Sequence, residues 1–79
     1  MTRIPAIPVR QIINFLKSLG FIKVRQHGSH IFFRHLDGRT ATVPYHQGED
    51  LGRGIVSKIL NDIEVSREVL VSWLRKEKL

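Results

Sequence analysis

The sequence predicts an α+β fold, a three-stranded antiparallel sheet with helices packed on one face, in the order α-β-β-β-α plus a C-terminal helix. Two observations carry this reading. Apolar residues recur at helical spacing up to Leu19 and again from Ile55, whereas between Ile22 and Val43 they alternate with polar ones at the two-residue period of strands. Length sets the scale: a chain of 79 residues hides only about 60% of the surface its unfolded form exposes. One domain over residues 1–79 is therefore expected, with a thin core and any site on its surface.

The elements follow in order. After a loose Met1-Thr2-Arg3-Ile4-Pro5 start, a helix is predicted over about Pro8 to Leu19, with Val9, Ile12, Ile13, Leu16 and Leu19 on one stripe. Pro8 suits the first turn, where a missing N–H costs little, and Gly20 suits a left-handed C-terminal cap. Ile22 and Val24 then alternate with Lys23 and Arg25 as a first strand. A second strand spans about Ser29 to His35, Asp37-Gly38 signals a hairpin turn, and a third strand spans about Arg39 to Tyr45.

If Ala41 and Val43 face inward with Ile22, Val24, Ile31 and Phe33, the opposite face gathers Lys23, Arg25, His30, Phe32, Arg34, Thr40 and Thr42. That face is basic and carries one aromatic. Beyond the glycine-rich loop Gln47 to Gly54, Ile55, Val56, Ile59, Leu60 and Ile63 mark a helix that can cover the inner face. Ser66 is the expected N-cap of a last helix, with Glu68 in its first turn, Val69, Leu70, Trp73 and Leu74 as its buried stripe, and Arg75, Lys76 and Lys78 near its C-terminal end. Helices on one face of such a sheet give a shape like the double-stranded-RNA-binding domain.

Composition narrows the function. Thirteen Lys and Arg against seven Asp and Glu leave a net charge of +6, which draws polyanions to the surface. RNA, DNA and anionic membrane are the candidate partners at this point. With no cysteine there is no disulfide, no thiolate nucleophile and no Cys-based zinc site, and the reducing cytoplasm is the expected compartment. Apolar runs stop far short of the roughly 18 residues a membrane span needs, and no signal-peptide pattern opens the chain. A soluble protein without a membrane association is expected.

Four histidines, His27, His30, His35 and His46, are the groups able to do chemistry. Imidazole takes and gives protons near neutral pH. RNA carries its own nucleophile in the 2′-OH, so an enzyme that aligns it, removes its proton and steadies the phosphate can cleave without a metal. The simpler reading of each histidine is a surface residue without a task. A zinc site is a rival, but His27 and His30 fall on opposite faces of an unbroken strand, and a bulge at Gly28 would be required to unite them. Gly28 also has the plain reading of a turn glycine. Phe32 is either strand filler or a platform that stacks a splayed base.

A longer pattern runs from Phe15-Leu16-Lys17-Ser18-Leu19-Gly20-Phe21 through Arg25-Gln26-His27-Gly28-Ser29-His30 and Arg34-His35-Leu36-Asp37-Gly38-Arg39. It continues in Thr42-Val43-Pro44-Tyr45-His46 and Gly48…Leu51…Gly54…Ile59-Leu60. Over about Val9 to Leu70 this resembles the HicA (YcfA-like) family, the small toxins of HicA–HicB toxin–antitoxin modules. It departs at Gly54-Ile55-Val56-Ser57-Lys58, where the family usually shows G-T-[LI]-R-x. The resemblance implies a fold like a double-stranded-RNA-binding domain, mRNA cleavage independent of the ribosome, no cofactor, and a HicB-type antitoxin as partner.

By the same resemblance the G-S-H histidine, His30, is the catalyst. Gly28, Ser29, Lys23, Arg25, Phe32 and Arg34 make up the expected RNA-binding surface. His46 is the candidate second proton-transfer group, with an N-cap or loop contact as its alternative. An antitoxin is expected to cover His30 and the basic strand face, with acidic groups opposite Lys23, Arg25 and Arg34 and with Phe32 as apolar anchor. Two other classes remain: a non-enzymatic RNA-binding module, and a domain that docks on an acidic protein.

Overall fold

A computed structural model describes residues 4–77, which leaves Met1, Thr2, Arg3 and Lys78 of the elements anticipated above outside the described residues. The chain runs through β1 (Ile7–Pro8), α1 (Val9–Ser18), β2 (Ile22–His27), β3 (His30–Arg34), β4 (Thr40–Pro44), β5 (Asp50–Leu51), α2 (Arg53–Ile63) and α3 (Arg67–Glu77). Strands β2, β3 and β4 form the antiparallel sheet in that spatial order, and β1 pairs with β5 as a separate two-stranded ribbon. The α+β class and the three-stranded sheet are as the sequence predicts.

The helix α1 forms because its apolar positions fall on one stripe: Val9, Ile12, Phe15 and Leu16 are buried. Pro8 precedes the helix as its N-cap instead of lying in its first turn. At the other end the Phe21 N–H reaches the Leu16 carbonyl at 3.0 Å and the Gly20 N–H reaches Lys17 at 3.0 Å, the paired bonds of a Schellman cap. Gly20 sits at φ +98°, and a Cβ there would stand 3.1 Å from the His35 ring. Both the backbone and the neighbour therefore call for glycine.

The sheet's inner face carries Ile31 and Phe33 from β3 and Ala41 and Val43 from β4, all buried with Val56, Ile59, Leu60 and Ile63 of α2. Leu70 anchors α3, whose Trp73 meets the edge of Phe15 with ring centroids 5.4 Å apart. The Ser66 hydroxyl accepts the Val69 N–H at 3.4 Å, in the manner of an N-cap. Two stripe members differ from expectation. Ile55 and Val69 are exposed and lie outside the buried core.

The larger departures lie in the first strand and at the start of the chain. Ile22 is 61% exposed and Val24 51% exposed, so neither belongs to the core. The pairing explains it: Lys23 opposes Phe33 but Arg25 opposes Phe32, so Val24 is an extra residue in a β-bulge. Near the N-terminus, Ile4 and Ile7 are buried, not loose. Ile7 pairs with Leu51 and Pro8 with Asp50, and the Val9 N–H reaches the Glu49 carbonyl at 3.2 Å. This ribbon gives the glycine-rich segment a strand that its sequence does not announce.

Candidate nucleic-acid interface

Cross-strand partners share a face of the sheet, so the register assigns the outer surface position by position. One rung is His27, His30 and Pro44; the next is Arg25, Phe32 and Thr42; the third is Ile22, Arg34 and Thr40. His30, Phe32 and Arg34 lie here because Ile31 and Phe33, between them, turn into the core. Among these positions there are cations and imidazoles but no carboxylate.

The middle rung is already stacked. The Arg25 guanidinium lies 4.6 Å from the centre of the Phe32 ring, within cation–π range. Phe32 is accordingly half-buried, and a base that stacks on this face would meet the guanidinium before the ring. Arg34, His27 and His30 are exposed.

Gly28 and Ser29 form the loop between β2 and β3. Gly28 has φ +59° and Ser29 has no positive φ, the pattern of a two-residue type II′ turn with glycine first. An added Cβ at Gly28 would meet nothing within 4 Å, so its requirement is one of backbone conformation alone. The Ser29 carbonyl accepts the Tyr45 N–H, which ties the turn to the residue after β4. His46 follows directly, exposed, at the same end of the sheet, and its carbonyl accepts the Glu49 N–H at 3.0 Å.

The structure rearranges the expected set in two places. Lys23 does not join the outer face: it pairs with the core-facing Phe33, and its ammonium bonds Gln26 Oε1 at 3.1 Å, because the bulge at Val24 inverts the alternation. His27, which simple alternation set opposite His30, is its direct cross-strand partner. The chain reverses at Gly28-Ser29 instead of continuing, and residues three apart in a two-residue hairpin flank the same turn. Glycine at the first loop position in His27-Gly28-Ser29-His30 was the available signal. Among the described residues, no three of His, Cys, Asp and Glu come together as a metal-binding group.

His35 belongs elsewhere. Its Nε2 lies 3.1 Å from the Leu19 carbonyl, and its Nδ1 lies 3.1 Å from the Asp37 backbone nitrogen and 3.2 Å from Asp37 Oδ2. With its ring edge-on to Phe21 at 5.1 Å, it joins the end of β3 to the end of α1. Arg39 is a second tether. It holds Asp37 through Nε at 2.9 Å and Nη2 at 2.8 Å, while Nη1 donates to the Ile63 carbonyl at the end of α2. The Arg39 hydrogen bonds hold the Asp37 carboxyl below its usual value, and Asp37 raises Arg39 in return.

No helix among the described residues is long and apolar enough to cross a membrane. A comparison with curated proteins gives no match. The family model described as the HicA toxin of bacterial toxin–antitoxin systems matches residues 9–65, a segment that holds both helices α1 and α2, the whole sheet and the Gly28-Ser29 turn. With well over half of its length matched, and with a sheet, helix order and G-S-H turn of the kind this resemblance implies, the chain belongs to the HicA family of bacterial toxin–antitoxin toxins.

Proposed function

We propose that this toxin is an endoribonuclease that cleaves mRNA in the cytoplasm on the outer face of its sheet, with His30 as acid–base catalyst. The observation that carries the reading is the position of His30. It is exposed on the central strand, beside a cationic face and next to a turn whose glycine fixes the hairpin. Arg25 and Arg34 supply the attraction for the phosphate backbone, and the Arg25–Phe32 stack offers a flat surface for a base. Gly28 and Ser29 hold the backbone around His30. In the reaction the 2′-oxygen attacks the adjacent phosphorus as its proton leaves, and the bond to the 5′-oxygen breaks as that oxygen gains a proton. The products are a 2′,3′-cyclic phosphate and a free 5′-hydroxyl.

Cleavage is expected to persist in EDTA, since the outer face offers no carboxylate for Mg²⁺. A substrate with a 2′-deoxy nucleotide at the scissile position should not be cut. Analysis of the product ends on both substrates tests this. Strict dependence on added metal, or cutting of the deoxy substrate, would overturn the mechanism, and tight binding without any cleavage would leave a non-enzymatic RNA-binding module.

Family membership brings a cognate antitoxin, and we place its contact on the same face. An acidic surface opposite Arg25 and Arg34, closing over the Arg25–Phe32 stack, would occlude His30. One pair of substitutions addresses both ligands. Arg25→Ala and Arg34→Ala are each expected to flatten the salt dependence of binding to single-stranded RNA, by about 0.7 in log–log slope per lost phosphate contact, and to slow association with the antitoxin. Lys23→Ala, on the other face, should leave both unchanged. Titrations at several salt concentrations decide it, and an effect of Lys23→Ala as large as that of Arg34→Ala would contradict this footprint.

A further inference from the structure

We propose that His27 is the second proton-transfer residue of this toxin, acting with His30 across the β2–β3 hairpin. The proposal rests on the endoribonuclease reading above. That reaction moves two protons: one leaves the 2′-hydroxyl and one arrives at the 5′-oxygen. In an in-line displacement the attacking and leaving oxygens lie on opposite sides of phosphorus, so one imidazole on one side serves only one of them well. A second acid–base group on the far side of the phosphate completes the exchange.

The fold provides such a group without a pocket. His27 and His30 are register partners that flank the Gly28-Ser29 loop. The Cβ atoms of such a pair stand about 4.5–5.5 Å apart, with side chains roughly perpendicular to the sheet. Both residues are exposed, so a phosphate laid across the end of the hairpin can receive an imidazole on each side. The positive φ of Gly28 makes the pair, because only a turn this tight sets residues 27 and 30 opposite each other.

The surroundings leave both imidazoles free for this task. On their own face the next rung is Arg25 with Phe32, so the nearest charge from β2 is a cation that attracts the phosphate. From β4 the neighbour of His30 is Pro44, which cannot titrate, and beyond it come Tyr45 and His46. Lys23 and Gln26 pair with the core-facing residues Phe33 and Ile31 and bond each other at 3.1 Å on the opposite face. Among the described residues, no hydrogen bond occupies a ring nitrogen of His27 or His30, in contrast to His35, whose two nitrogens are both engaged.

The test is the pH dependence of RNA cleavage in EDTA by wild type, His27→Ala and His30→Ala, each checked for folding by circular dichroism and thermal melting. Wild type should give a bell-shaped profile. His27→Ala should lose at least about 100-fold in rate and keep only one limb of the bell, with RNA affinity nearly unchanged. A His27→Ala protein that keeps the wild-type rate and both limbs overturns the proposal while leaving the endoribonuclease reading intact. So does a His46→Ala protein that lacks the limb assigned to His27, if His27→Ala retains that limb. Failure of the wild-type protein to cleave, or full activity of His30→Ala, would instead remove the reading on which the pair depends.

Discussion

His30→Ala is expected to keep the fold and most of the RNA affinity while losing at least about 100-fold in cleavage, the lower end for removal of an acid–base group. Stability should hold because the side chain is exposed on the outer face, between His27 and Pro44, and is not part of the core. Affinity should hold because phosphate contacts by cations dominate it, and Arg25 and Arg34 remain. Measured together, single-turnover cleavage, RNA binding and thermal melting separate these contributions. A His30→Ala protein that cuts at the wild-type rate would remove the central claim. One that melts far below wild type would show that His30 supports the structure.

Three residues along the same strand the expected result reverses. Phe33 is 1% exposed on the inner face, among Ala41 and the residues of α1 and α2 that form the core. Phe33→Ala removes most of a ring from a close-packed site and should destabilise the protein by about 3–5 kcal/mol. For a domain of this length the whole stability is roughly 4–12 kcal/mol, so the variant is expected to melt far lower or to be largely unfolded at 37 °C. Phe33→Leu should cost less, since it keeps more of the volume. Denaturant unfolding of the two variants checks the ranking, and a loss under about 1 kcal/mol for Phe33→Ala would mean that the inner face is not packed as described.

The contrast between His30 and Phe33 was legible in the sequence, because β3 and β4 alternate without interruption and one face of each is covered by helices. Ile31, Phe33, Ala41 and Val43 all lie where their alternation predicts. The stripe of α1 and the cap at Gly20 were legible for the same reason: each is a local pattern whose period or φ requirement shows in a few consecutive residues.

The edge strand β2 could not be read this way. All of its residues are exposed, so no burial term penalises a shift, and one extra residue at Val24 exchanges the faces of Ile22 and Lys23 relative to the simple alternation. The candidate site shared this fate. His30, Arg25, Phe32 and Arg34 were named from sequence and stand together, whereas Lys23 left the group and His27 entered it.

The sequence by itself determined the types of the three helices and of the three strands of the main sheet, the inner faces of β3 and β4 and the position of the G-S-H turn, because these depend on periodicity and backbone preference within short segments. Only the tertiary structure decided which side chains meet across strands: the rung of His27 and His30, the Arg25–Phe32 stack, the Arg39 tether to α2 and the ribbon of β1 with β5. Such pairings are set by hydrogen-bonded register and by contacts between residues far apart in the chain. A two-residue strand is too short to show a period, and a bulge leaves no mark in the alternation of its own strand.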